Sequence, residues 1–413
     1  MVTSGSIDLT EVAGTLNVGQ ARSRKGNVIL TVRDSATGNF ENLRIDNNPN
    51  VDAEILAEVG EVVLRVGDDL LLTDTGKIRA ARTVKIFGDF GNADADGSII
   101  DLRGVITAQA PDTTQPAVDI VTDTDDDIVS LTNVQVGSPT RISTLQGNDL
   151  IQVGSLAATL SSLSNANGTL NRISDLLTVE GGDGSDRLQL DETGDTEENS
   201  GILSSTRLVG LGMASAEADQ KRINRDKGIA YSGLEDLSLE LGSNSDRMVI
   251  TSTHSGATTV NTGDGDDIVD LGSNPVLDAE GRLQTDVDNK IISGGQLDDI
   301  NGSLTLTGGN GINPAATPGT GPQNKDTLNI DERADVDGNT GANAGQIAAT
   351  GDGRAQVTGL DMAGNVLYDQ FEILNVDLSE FEDALTIEDN TDAGETTVKA
   401  GAGNDTVTVN LRS

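Results

Sequence analysis

Three pairs of aspartates stand one near-constant step apart along this chain. The step from Asp127 to Asp149 is 22, from Asp246 to Asp267 it is 21, and from Asp383 to Asp405 it is 22. If the chain returns to the same place after each step, the members of a pair lie side by side. Two carboxylates held that close repel each other unless a cation or protons lie between them. The turns around them are rich in oxygen. Gly181-Gly-Asp-Gly-Ser-Asp-Arg-Leu188 fits Gly-Gly-x-Gly-x-Asp-x-apolar throughout. Thr262-Gly-Asp-Gly-Asp-Asp-Ile-Val269 and Ala400-Gly-Ala-Gly-Asn-Asp-Thr-Val407 replace only the first glycine, and Thr144-Leu-Gln-Gly-Asn-Asp-Leu-Ile151 keeps the later half.

Glycine lets the backbone take positive φ and turn its carbonyls inward, the aspartate adds a charged oxygen, and the apolar residue anchors a strand. Six to eight oxygens in forgiving geometry are what Ca²⁺ takes. The candidate ligands are therefore Asp127, Asp149, Gly182, Asp183, Gly184, Asp186, Asp246, Gly263, Asp264, Gly265, Asp267, Asp383, Gly401, Gly403, Asn404 and Asp405. Asn92-Ala-Asp-Ala-Asp-Gly97 opens like an EF-hand loop and adds Asn92, Asp94 and Asp96, although Arg103 stands where such a loop carries its final acid. Asp335-Val-Asp-Gly338 is a weaker fragment of the same kind. The competing reading is structural: these tripeptides are good turn formers whose aspartates cap their own backbone.

The elements that must position these turns are short strands. Val62, Val84, Ile106, Ile128 and Leu150 recur at a constant step of 22, and a second track runs through Ile78, Ile100, Ile120 and Ile142. Local alternation, as in Glu61-Val-Val-Leu-Arg-Val66, reads as strand, and Gly, Asp and Asn mark the turns. Two tracks with a common period predict a chain that winds through the same positions on each lap, each lap burying its apolar face only against its neighbours. The expected fold is all-β: a right-handed parallel β-helix, or β-solenoid, with coils of about 22 residues and inserted loops.

A longer repeat overlies this period. The offset from Tyr231 to Tyr368 is 137, from Asp246 to Asp383 again 137, and from Asp267 to Asp405 138. Asp186-Arg-Leu-Gln-Leu-Asp191 is matched by Asp326-Thr-Leu-Asn-Ile-Asp331, and Val209-Gly-Leu-Gly-Met-Ala214 by Thr358-Gly-Leu-Asp-Met-Ala363. The expected organisation is N-terminal coils over 1–153, one repeat block over 154–272 and a second over 273–413. A Pro/Gly/Asn-rich loop, Ile312 to Asn324, interrupts the second block; the polar stretch Glu217 to Gly228 in the first reads as an exposed loop or short helix.

Composition narrows the classes of function. The chain has 413 residues, with 67 acidic against 27 basic for a formal charge of −40. Such a charge repels nucleic acid and anionic membrane surfaces, and no apolar run reaches the roughly 20 residues of a membrane span. Neither nucleic-acid binding nor membrane insertion is expected. Aromatics are 2% of the chain, tryptophan and cysteine are absent, and the core must come from Val, Ile, Leu and Ala. Catalysis is not expected either. The sole histidine, His254, has Asp392 as its counterpart in the second block and no partner motif beside it, and the carboxylate pairs recur where an active site is normally singular.

The glycine–aspartate turns resemble the haemolysin-type (RTX) nonapeptide, whose repeats form a calcium-loaded parallel β-roll. This chain departs from that family in carrying one such turn per longer coil instead of tandem nonapeptides. The resemblance implies a calcium-stabilised, structural or adhesive segment of a large secreted or surface-anchored bacterial protein, acting as a stiff stalk or scaffold. Its expected partners are calcium ions, neighbouring coils of a longer parent chain, and a cell-surface or polysaccharide ligand. The alternatives are a carbohydrate-active β-helix enzyme and a surface-layer or filament subunit.

Overall fold

The computed structural model describes residues 1–36, 41–46, 53–110, 112, 114–157, 165–215, 219–309, 325–388 and 394–410. Among these residues the regular structure is β-strand, save one 3-10 turn at Gly341–Asn343. The chain forms two compact units, residues 1–191 with 226–236, and 192–225 with 237–413.

In the first unit most strands fall in turn into three parallel sheets. The first holds Val2–Thr3, Gln20–Ser23, Glu54–Ala57, Lys77–Ala80 and Val105–Thr107. The second starts with Ile7–Glu11, Val28–Val32, Val62–Arg65, Val84–Phe87 and Val118–Val121, and continues through Thr140–Ser143 and Leu177–Glu180 to Ile229–Ser232. The third runs from Leu16–Val18 through Leu43–Ile45, Leu70–Leu72, Ile99–Leu102, Ile128–Leu131 and Leu150–Val153 to Arg187–Asp191. Successive strands visit these sheets in the order first, second, third until Thr140; thereafter the second and third alternate, and a two-stranded parallel sheet of Gln146–Gly147 and Asp183–Gly184 lies between them in chain order.

Alternation makes this work. Every second side chain points inward, and in-register pairing stacks like on like. Ile86, Ile120, Ile142 and Val179 form one fully buried column, and Leu70, Ile100, Val129, Ile151 and Leu188 another. Aliphatic, often β-branched residues suit such columns because their stiff side chains pack on a pleated surface. Burying one such side chain is worth about 1.5–3 kcal/mol.

The period read from the sequence needs correction. Val62 pairs with Val84, and Ile128 with Leu150, but in different sheets; Ile106 lies in the remaining sheet, opposite Ile78. The second track is likewise divided, with Ile78, Ile100 and Ile120 in three different sheets and only Ile120 and Ile142 paired directly. The step of 22 is therefore true of single neighbours and is not a constant coil length. Val28 pairs with Val62 and Ile151 with Leu188, both far longer steps along the chain. Each cycle can carry three strands, and its turns vary in length without disturbing register.

The second unit alternates between two sheets. One runs Ser200–Ser204, Arg247–Ile250, Ile268–Leu271, Thr327–Asp331, Ile373–Asp377 and Glu395–Lys399, all parallel, with Arg207–Gly210 folded back antiparallel on the first of them. The other runs Ala257–Asn261, Ser303–Thr307 and Asn365–Asp369, passes through the antiparallel pair Ala355–Thr358 and Gly345–Ala349, and ends in Ala384–Ile387 and Thr406–Val409. Polar residues stack here too. Asn375 Nδ2 donates to Asn329 Oδ1 (2.9 Å) and Asn329 Nδ2 to Asp270 Oδ1 (2.8 Å).

The basic stretch after residue 218 forms turns and no helix, pinned by the buried Ile223, which packs with Val249, Ile202, Val209 and Ile291. The loop at 312–324 and Asp392 lie outside the described residues.

Candidate functional site

In the repeated turns the last aspartate points inward. Asp186 and Asp267 are fully buried and Asp405 is half-buried, whereas Asp183, Asp264 and Asn404 point to solvent. The glycines explain the pattern. Gly147, Gly184, Gly265 and Gly403, each two residues before the aspartate, have φ of +130°, +142°, +154° and +120°. A Cβ on Gly265 would run into the Asn244 carbonyl and come within 3.0 Å of Asp267 Oδ1; on Gly403 it would meet the Phe381 carbonyl and Asp405 Oδ1. Gly182, Gly263 and Gly401 likewise have positive φ and press against backbone carbonyls of an adjacent strand turn. Glycine is required here by close stacking of backbone on backbone.

The aspartates form columns. In the first unit the N–H of Ser98 donates to Asp127 Oδ1 (2.6 Å), that of Asp127 to Asp149 Oδ1 (2.8 Å), that of Asp149 to Asp186 Oδ1 (3.0 Å), and that of Asp186 to Glu235 Oε2 (2.7 Å). The second unit repeats the scheme. Asn199 N–H donates to Asp246 Oδ1 (2.7 Å), Asp246 to Asp267 (2.7 Å), Asp267 to Asp326 (2.8 Å) and Asp326 to Glu372 Oε2 (2.9 Å). A third run joins Asn339 N–H to Asp383 Oδ1 (2.7 Å) and Asp383 N–H to Asp405 Oδ1 (3.0 Å). All three pairs singled out by spacing are thus adjacent, with a backbone N–H between their members.

Three column members escaped the sequence reading: Asp326, Glu235 and Glu372. The long repeat held the signal, since Asp326 matches Asp186 and Glu372 follows Glu235 by the same offset as Asp383 follows Asp246.

The electrostatics follow from burial. Loss of water pushes the carboxyl of Asp149 up to about 7, Asp246 to about 8, and Asp267 and Asp326 to about 7; neighbouring carboxylates add to the rise, and backbone N–H donors oppose it. Asp127 and Asp186 are raised for the same first reason. The second oxygens are the reactive feature. Oδ2 of Asp127, Asp149, Asp186 and Asp267 is buried without a hydrogen-bond partner. Thr122, Thr144 and Thr262 hydroxyls lie near enough to favour ionisation at three of these aspartates, but not to close a bond of good geometry on Oδ2. A buried, unpartnered carboxylate oxygen suits either a proton or a hard cation such as Ca²⁺. Oδ1 is already committed to the backbone.

The EF-hand-like stretch is drawn to different neighbours. Asn92 Nδ2 donates to Thr124 Oγ1 (2.6 Å), and the exposed Asp96 gives its N–H to Asp94 Oδ1 (3.1 Å). Asp94 itself meets Asp34 and Asp68, one oxygen of each lying within 4.8 Å of the others. Burial is the main cause that lifts Asp68 to about 6. His254 Nδ1 lies 3.2 Å from Thr258 Oγ1.

No protein-family model matches this chain, and no curated protein matches it.

Proposed function

We propose that this chain is a structural and adhesive segment of a large extracellular bacterial protein: a right-handed parallel β-helix, stabilised by calcium, that serves as a stiff stalk or scaffold for surface contact. The observation that carries the reading is the carboxylate column. A Gly-x-Asp turn recurs at Asp149, Asp186, Asp267 and Asp405, and each of these aspartates is held through Oδ1 by the backbone N–H of its neighbour. Repetition of one arrangement along the chain is what a scaffold needs; a catalytic centre needs one singular constellation, so catalysis is not part of the proposal.

Calcium enters as the counter-charge. When bound, the ion neutralises carboxylates that water cannot reach. The free Oδ2 atoms of Asp127, Asp149, Asp186 and Asp267 would hold it, with the glycine turns supplying carbonyl oxygens. Extracellular calcium modules bind at about 10⁻⁴ to 10⁻³ M, which suits a permanent structural ion outside the cell.

Limited proteolysis tests the proposal. Cleavage of the full chain at pH 8 should slow several-fold in millimolar calcium relative to chelator, with magnesium giving little protection. Equal cleavage rates in calcium and chelator would refute the calcium part of the reading.

A further inference from the structure

Away from the columns, the second unit gathers three carboxylates from three separate turns. Asp298, Asp335 and Asp361 each place one oxygen within 4.8 Å of the others. Two ligands on opposite sides of an ion at about 2.4 Å are about 4.8 Å apart, so the three oxygens are close enough to share one. An acidic cluster alone carries little; the atoms behind it carry more. Glu332 and Asn339 are fully buried, and Glu332 Oε1 and Asn339 Oδ1 have no hydrogen-bond partner. Both side chains reach the cluster through one amide: Asn339 Nδ2 donates to Asp335 Oδ2 (3.1 Å) and to Glu332 Oε2 (3.2 Å). The Leu297 N–H approaches the Glu332 carboxyl without closing a bond on Oε1. Two oxygen acceptors are therefore left without a donor on buried side chains that are joined to Asp335 of the cluster. A cation supplies what both lack.

The internal repeat provides a control. Asp331-Glu-Arg-Ala-Asp335 and Asn339 correspond to Asp191-Glu-Thr-Gly-Asp195 and Asn199, so the buried Glu, Asp and Asn occur in both copies. Asn199 plays the same backbone part as Asn339, its N–H donating to Asp246 as that of Asn339 does to Asp383. The position of Asp361, however, is Gly212 in the first copy. Asn199 Oδ1 is buried without a hydrogen-bond partner as Asn339 Oδ1 is, so what the second copy adds is the third carboxylate.

From this geometry we infer that Asp298, Asp335 and Asp361 form a divalent-cation site of the calcium class, backed by the buried Asn339 and Glu332, which are joined to it through Asp335. The donor set is all oxygen, which excludes the softer metals that seek thiolate or imidazole. Its origin in three turns favours calcium, which accepts irregular shells, over magnesium, which demands a near-ideal octahedron. This site shares no ligand with the aspartate columns and stands or falls separately from them.

Calorimetric titration of the full chain with calcium chloride, in chelator-stripped buffer, tests the inference. Asp361→Gly installs the residue of the first copy at a half-buried position with φ of +55°, a conformation glycine tolerates. It should lose one equivalent of bound calcium while keeping the parent circular dichroism, and Asp335→Asn should lose the same equivalent. The Asp267→Asn/Asp405→Asn variant, which addresses the columns, should retain it. If Asp361→Gly and Asp335→Asn both bind as much calcium as the parent, or if the parent binds none, the site does not exist. Loss confined to Asp267→Asn/Asp405→Asn would overturn this site while leaving the column reading intact.

Discussion

The backbone N–H of Asp246 donates to Oδ1 of Asp267 at 2.7 Å, so one buried acid holds the next by its main chain. Both carboxyls lie well above the ordinary carboxylate range, at about 8 and about 7, chiefly because burial strips them of water. The pair is electrically unfinished: the N–H anchors one oxygen and leaves the charge to be settled by a proton or an ion.

Stability without calcium should therefore fall as pH rises. A carboxyl with a raised folded-state value binds its proton more tightly folded than unfolded, so the folded state is favoured at low pH and that advantage disappears as pH passes the folded value. For Asp149, Asp246, Asp267 and Asp326 the window runs from about 4 to about 8. The calcium-free melting temperature should drop by several degrees between pH 5.5 and pH 8.5. A flat or rising profile would show that these groups are not shifted as described.

Asp326 holds two backbone donors, the N–H of Asp267 on Oδ1 (2.8 Å) and that of Gly309 on Oδ2 (2.9 Å). Asp326→Ala strands both in a buried turn, and chemical denaturation should register a loss of about 2–5 kcal/mol. Asp326→Asn keeps an acceptor for one of them and should lose less. Equal losses would mean that the hydrogen bonds are not what the position contributes.

Gly265→Ala combines a strained φ of +154° with a methyl group forced against the Asn244 carbonyl. The expected cost is on the order of 2–4 kcal/mol by equilibrium unfolding. Gly351→Ala, at φ +86° with open space around it, isolates the backbone strain and should cost about 1–2 kcal/mol. A Gly265→Ala loss no larger than that of Gly351→Ala would argue against tight stacking of the turns.

The strand Thr406–Val409 pairs with Ala384–Ile387 along one edge, and Val407 and Val409 are exposed. Among the described residues no strand pairs with its other edge, and such an edge invites pairing with another chain. Sedimentation at rising concentration should show association that Val407→Lys/Val409→Lys reduces. Association equal in parent and variant would place the contact elsewhere.

Much of this was legible in the sequence because stacking imposes local rules. Alternation disclosed strands, and the spacing of Asp127/Asp149, Asp246/Asp267 and Asp383/Asp405 disclosed neighbours that the structure brings together. The cycle through three sheets was not legible. Ile106 and Ile128 keep the regular step yet belong to different sheets, since an inward-facing isoleucine looks the same in any of them. Glu235 and Glu372 were hidden by chemistry and distance: glutamate reaches the same N–H with a longer arm, and long stretches of chain separate each from its partner aspartate. The Glu332–Asn339 pair was obscured for a different reason, because its partners Asp298 and Asp361 come from distant turns with no shared motif.

The most direct test of the account is the melting temperature of the full chain at pH 8 and low salt, in calcium and in chelator, for the parent and for Asp267→Asn/Asp405→Asn. A calcium ion that binds only the folded state adds about 2.7 kcal/mol per site at 100 times its dissociation constant. The parent should melt several degrees higher in millimolar calcium and much less so in magnesium. The variant should lose a large share of that response while melting in chelator at or above the parent, its buried repulsion relieved. A parent whose melting temperature is the same in calcium and chelator, with a variant that behaves identically, would contradict the claim that calcium completes these columns.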